Sequence, residues 1–128
     1  MRVRLAALVL PLAVVSTAAA ALPFRAVLKT PPTQPRANVD WHYSVRVTDR
    51  AGRPVRATIT AQILDTFGGV HPVQYDRTTR NIVNHPFRGV FRDYLTFPPE
   101  SRGFPLTLRF TIRAKGAKVV LKRKVTPR

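Results

Sequence analysis

The chain has 128 residues, no cysteine, and 22 Lys and Arg against six Asp and Glu, a formal net charge of +16. The missing cysteine excludes disulfides, thiolate metal sites, a thiol nucleophile and the acylated N-terminus of a lipoprotein. The charge favours polyanionic partners such as nucleic acid, anionic lipid headgroups or anionic wall polymers. GC-rich coding bias would produce the same wealth of Arg, Ala, Val and Pro, and the charge would then have no dedicated ligand.

Met1-Arg2-Val3-Arg4 is a short cationic start, followed by an apolar run from Leu5 to Val15 that only Pro11 interrupts. Ser16 to Ala21 is a small-residue exit with Ala-x-Ala sites. Residues 1–21 therefore read as a helical signal peptide, and the protein as exported, either secreted or associated with the cell envelope. The run falls short of the about 20 residues that span a membrane. Extended to Leu22 it reaches 18, so an uncleaved N-terminal anchor is the alternative. Cleavage after Ala20 or Ala21 leaves 108 or 107 of the 128 residues, enough for one small domain held by its core. Loss of Arg2 and Arg4 with the leader lowers the charge from +16 to +14.

Residues 22–40 divide into an edge strand, Phe24 to Thr30, and a Pro-rich linker whose Pro31, Pro32 and Pro35 remove ladder donors. From Trp41 the pattern has period two: Trp41, Tyr43, Val45 and Val47 on one side, His42, Ser44, Arg46 and Thr48 on the other. Asp49-Arg50-Ala51-Gly52 with Pro54 forms a tight turn. A second alternating strand follows, with Val55, Ala57, Ile59, Ala61 and Ile63 inward. Two strands joined in this way are expected to pair antiparallel. Residues 65–89 are irregular, with short strands expected around Val70–Tyr75 and Arg80–Asn84. Arg88-Gly89-Val90-Phe91 opens a clearer strand, with Phe91, Leu95 and Phe97 on one face. Pro98 to Gly103 is a loop. Leu106, Leu108, Phe110, Ile112 and Ala114 then alternate cleanly, Lys115-Gly116 turns the chain, and Lys118 to Val125 closes it with Val119, Leu121 and Val125 inward.

The prediction is an all-β, two-layer antiparallel immunoglobulin-like β-sandwich over residues 41–128, with Trp41 and Phe110 as aromatic anchors on opposing strands. A closed barrel fits less well, because Pro-rich segments suit edges and a barrel has none.

The stretch Val45-Arg46-Val47-Thr48-Asp49-Arg50-Ala51-Gly52-Arg53-Pro54-Val55 resembles the V-x-V-x-D-x-x-G-x-P-V signature of bacterial immunoglobulin-like and transthyretin-like modules. There it forms a strand, a tight turn and the next strand. Gly89-Val90-Phe91 with Leu95 looks like their later strand, and Gly103 through Val125 like their closing hairpin. The resemblance implies a sandwich and leaves function open, since such folds host unrelated roles. The inter-sheet cysteine pair of the antibody type is missing here.

Catalytic material is sparse. The acids Asp40, Asp49, Asp65, Asp76, Asp93 and Glu100 offer no paired carboxylates, and Gly-x-Ser-x-Gly and His-Glu-x-x-His are absent. The expectation is a non-enzymatic protein with no cofactor. A metal set of His71, His85 and Asp76 can be drawn in the irregular segment, but His71-Pro72 and His85-Pro86 also read as turn punctuation, and no metal ligand is assigned. A loop-based metal-binding or small-ligand carrier protein of the envelope is the alternative function.

The stronger candidate is a basic face. Arg46, Arg56, Arg109, Arg113, Lys118, Lys122 and Lys124 fall on outward strand positions, with Arg88 and Arg92 near the sheet end, suited to phosphates or carboxylates. The plain alternative is a solvated sheet face. The expected partner is an anionic envelope polymer or membrane surface; specific nucleic-acid binding would need aromatic platforms, and Trp41, Phe91 and Phe110 belong to the core. Partner-recognition loops are the remaining candidate, carrying Phe67, His71 and Phe104. Phe67, Phe97 and Phe104 read equally as plugs for the ends of the core, the reading preferred here, with an unknown protein as partner otherwise.

Overall fold

The computed structural model of the chain describes residues 21–75 and 78–128, so the segment expected to be a signal peptide, apart from Ala21, lies outside the described residues. Eight strands follow in order: β1 (Phe24–Lys29), β2 (Trp41–Asp49), β3 (Arg56–Leu64), β4 (Val70–Pro72), β5 (His85–Arg88), β6 (Val90–Leu95), β7 (Leu106–Ala114) and β8 (Ala117–Val125). One sheet has the order β1-β2-β6 and the other β4-β3-β7-β8, with β5 also on β3. Every pairing is antiparallel. The protein is a two-layer antiparallel β-sandwich.

Period-two patterning makes the layers. β2 buries Trp41, Tyr43, Val45 and Val47, β3 buries Ala57, Ile59 and Ala61, and β7 buries Leu108, Phe110 and Ile112. Burying one such large apolar side chain contributes about 1.5–3 kcal/mol. Tyr43 joins the two layers: its ring lies 4.8 Å from Phe110 of the opposite sheet and 6.2 Å from Phe91. Trp41 meets Phe97 edge to face at 6.4 Å, so Phe97, 2% exposed, does plug that end.

Three expectations need correction. First, β2 and β3 do not form a hairpin; they belong to opposite sheets. Only a single bridge, Thr48 to Pro54, joins them. The ladder stops there because Val47 N–H donates to the Gly89 carbonyl and not to Val55, and both strands have an apolar face that is buried only when they stack across the core. The Asp49 carboxylate holds the turn by accepting the Ala51 and Arg53 N–H groups at 2.9 Å each, while Gly52 takes φ +81.

Second, residues 22–40 are integral to the sandwich. β1 pairs with β2 from Phe24–Asp49 to Lys29–Ser44, so the sandwich begins at Phe24 and not at Trp41. The Pro-rich segment is pinned to the chain's last residues: Ala37 N–H donates to the Arg128 carbonyl, Arg128 N–H to Pro35, and Thr126 N–H to Gln34 Oε1. Trp41 Nε1 donates to the Thr33 carbonyl at 3.3 Å. Extended proline-rich backbone offers its carbonyls freely, and here the neighbouring chain uses them.

Third, the irregular segment forms β4 and β5, the latter over His85–Arg88, past the Arg80–Asn84 strand expected from the sequence. Asn81 makes only an isolated bridge to Gln74. Pro86 is tolerated because β5 pairs on one side only.

Between β5 and β6 the chain crosses sheets at Gly89, whose φ is +74. Gly89 N–H donates to the Val55 carbonyl at 3.0 Å, and its own carbonyl accepts from Val47 N–H at 2.7 Å. A Cβ here would stand 3.0 Å from Pro54 Cβ. Gly89→Ala is expected to lower stability by roughly 1–2 kcal/mol, the order of the left-handed penalty for a residue with a side chain. Chemical denaturation with an unchanged m-value measures it.

Candidate functional site

The outer face of the larger sheet collects basic side chains in register. Arg109 stands opposite Lys122, Arg113 opposite Lys118, and Lys124 opposite Thr107 across β7 and β8. Arg56 of β3 stands opposite Arg88 of β5. Threonines fill the positions between, with Thr58 facing Arg113 and Thr60 facing Thr111. Arg109 is held in place by Gln62, whose Oε1 accepts from its Nε at 3.1 Å and Nη2 at 2.6 Å.

No carboxylate occupies the outward positions of either sheet. Asp49 is in its turn, Asp65 in the β3–β4 loop, Asp40 just before β2, and Glu100 in the 3-10 turn Pro99–Ser101 between β6 and β7. Asp93 is turned to the core, 6% exposed and in register with Tyr43. Burial, then the Asp93 charge, then Tyr75 push the Tyr43 phenol well above its ordinary range, so it stays protonated. Both groups are buried, and both border a surface hollow that His42 and Tyr94 also line.

Directly opposed like charges destabilise a sheet, by roughly 0.2–1 kcal/mol per pair. Three such pairs on one face make a surface that an anion would relieve. Of the residues proposed from the sequence, Arg56, Arg109, Arg113, Lys118, Lys122 and Lys124 share this face, and Arg88 joins them. Arg46 does not, because β2 lies in the other sheet; it stands on that sheet's outer face with Arg25, Lys29 and Arg92. Arg25 and Lys29 were missed because only the pairing of β1 with β2 brings them beside Arg46. Alternation within β1 was the available signal.

The loop candidates separate. Phe67 is 85% exposed and Phe104 51% exposed, so neither plugs the core as Phe97 does. The β3–β4 loop is organised by Asp65, which accepts from Phe67 N–H at 2.8 Å, Gly69 N–H at 2.7 Å and pairs with His71 Nε2 at 2.7 Å. A Cβ at Gly69 would meet the Asp65 carboxylate, so a substitution there has to displace that side chain from its loop contacts. The His71 contact, followed by the Gly69 and Phe67 amides, holds the Asp65 carboxyl below its ordinary range.

No group of three metal-ligating side chains occurs among the described residues. His71 is opposite Ile63 and His85 opposite Ile59, four residues apart on β3, or roughly 13 Å. His85 stacks on Tyr75 at 4.8 Å, and Asp76 lies outside the described residues. Among the described residues no helix is long and apolar enough to cross a membrane.

No family model and no curated protein sequence matches the chain. Among solved structures, it is similar to a DUF4466 family protein from Parabacteroides merdae, at 16% identity and TM-score 0.39, over 82% of this chain and 44% of that one. A Northeast Structural Genomics Consortium target is similar at 10% identity and TM-score 0.38, over 82% of this chain and 87% of that one. The chain thus spans less than half the length of the first.

Two outcomes are expected. Lys118→Glu converts a repulsive cross-strand pair with Arg113 into an attractive one and should raise stability by roughly 0.2–1 kcal/mol, more at low salt. Thermal melts at two salt concentrations check it. The Asp65 contribution to loop order is present above the ordinary carboxylate range and lost as pH falls through its lowered pKa. His71→Ala should move the Asp65 titration upward in a carboxyl-detected NMR pH series.

Proposed function

We propose that this chain is a non-enzymatic, exported immunoglobulin-like module that holds to an anionic polymer or membrane surface of the cell envelope. Its contact surface is the outer face of β3, β5, β7 and β8. The observation that supports this is the charge arrangement: seven cations, Arg56, Arg88, Arg109, Arg113, Lys118, Lys122 and Lys124, on one face with no outward carboxylate. Compositional bias explains many arginines, but bias by itself would scatter the acids among them. A flat face of Arg forks and Lys ammonium groups, spaced by threonine hydroxyls, grips phosphates or carboxylates along an extended surface without demanding a fixed ligand shape. Such binding is screened by salt.

Retention of the purified chain on cell-wall fragments and on vesicles with anionic headgroups tests the reading. The triple variant Arg113→Gln, Lys118→Gln, Lys122→Gln should lose most retention while melting no lower than the parent. Retention of the parent should fall steeply between low and high salt. Retention unchanged by salt, or by the triple variant, overturns the proposal.

A further inference from the structure

We propose that the outer face of the β1–β2–β6 sheet is a groove for nucleoside phosphates, free or linked in a single strand, with the phosphate on Lys29, Ser44 and Arg92 and the ring against His42 and Tyr94. This site lies on the face opposite the envelope-binding one and does not depend on it.

Register builds the groove. Ser44 stands opposite Lys29 on one side and opposite Arg92 on the other, so the three form one row across the sheet. The next row is Val27, Arg46 and Val90, and Arg25 follows beside Thr48. Two hollows of about 590 and 630 Å³ share Lys29, Ser44 and Arg92. The first extends past Arg46 and Arg25; the second extends past His42, Tyr94, Pro31 and Pro32, and is bordered by Tyr43, Tyr75 and Asp93 at its ring end. Each is within the range of small-ligand sites.

The chemistry of the two ends differs. At one end are four cations, Arg25, Lys29, Arg46 and Arg92, and among the described residues no hydrogen bond or ion pair holds them. Asp93, next to Arg92 and Tyr94 in sequence, is turned to the core. A lysine and an arginine flanking a serine hydroxyl can clasp one phosphate from two sides, with Arg46 available to the next. At the other end His42 and Tyr94 form a direct cross-strand pair on the outer face, with ring centroids 5.6 Å apart. That pair is one row from the clasp, two residues along β2, or roughly 7 Å.

A charged row beside a pair of rings on the sheet's outer side is the arrangement that binds phosphate and base together. The envelope-binding face has no ring at its outward positions, so it reads charge alone. The sequence did not suggest this site because Trp41, Phe91 and Phe110 are core residues; the rings that matter, His42 and Tyr94, alternate with them.

Fluorescence anisotropy with labelled oligothymidylate, with polyphosphate and thymidine monophosphate as competitors at fixed salt, tests the proposal on the purified chain. The oligonucleotide should bind roughly tenfold tighter than polyphosphate of equal charge, the order of one stacked base. Tyr94→Leu should remove that preference, and Tyr94→Phe should restore it. Lys29→Gln with Arg92→Gln should weaken both ligands. All arms are run in the background of the triple variant of the opposite face, which removes charge-only binding of oligonucleotide and polyphosphate there and separates failure of either site from failure of the other. Displacement by the monophosphate supports a free nucleotide as ligand, and displacement by oligonucleotide alone supports a strand. Equal binding of polyphosphate with no effect of Tyr94→Leu overturns the proposal. So does binding of a glycosyl-phosphate polymer with the same Tyr94 dependence and no binding of oligonucleotide.

Discussion

Everything about the surface of this protein depends on where the chain changes sheets. At one junction Val47, Val55 and Gly89 exchange backbone hydrogen bonds: Val47 N–H to Gly89, Gly89 N–H to Val55, and Val55 N–H to Val47 at 3.4 Å. Here the turn after β2 delivers β3 to the opposite layer, and the chain leaving β5 returns to the first layer as β6. The left-handed conformation at Gly89, with Pro54 packed where a Cβ would stand, belongs to the same device. Backbone donors that would be orphaned at a sheet crossing are satisfied by each other, so the crossing is secure without a disulfide.

That junction decides how the charge is shared. If β2 and β3 paired, Arg46 would join Arg56 and Arg109 in one basic array. Because they do not, the cations split into two sets on opposite faces, with a core between them. The face of β3, β5, β7 and β8 has no ring at its outward positions. The β1–β2–β6 face is narrower, hollowed, and combines its cations with a histidine–tyrosine pair. One composition thus yields two basic surfaces of different make-up.

The acids complete the pattern. Asp49 and Asp65 spend their oxygens on backbone N–H groups in tight loops, and Asp93 is buried beneath the sheet. Each is removed from the outward faces by a structural task. Opposed like charges such as Arg113 and Lys118 then face each other with no intervening carboxylate, a cost that the apolar core offsets. Ile59, Ile82, Val45 and Val47, all fully buried, show how closed that core is.

Much of this was legible in the residues themselves. Period-two alternation gave β2, β3, β7 and β8 and which side of each faces the core, since a strand's side chains can only alternate. The Lys115-Gly116 turn was legible too, both residues taking positive φ, +48 and +71, as a two-residue hairpin loop requires. The outward positions of Arg109, Arg113, Lys118 and Lys122 followed directly. Partner choice did not follow, because alternation says which face a strand buries and nothing about which neighbour it finds. The separation of β2 from β3, the inclusion of β1, the placement of Arg46 with Arg25 and Lys29, and the pairing of His42 with Tyr94 were decided by long-range register. Tertiary structure alone settles them, since each depends on burying two apolar faces at once.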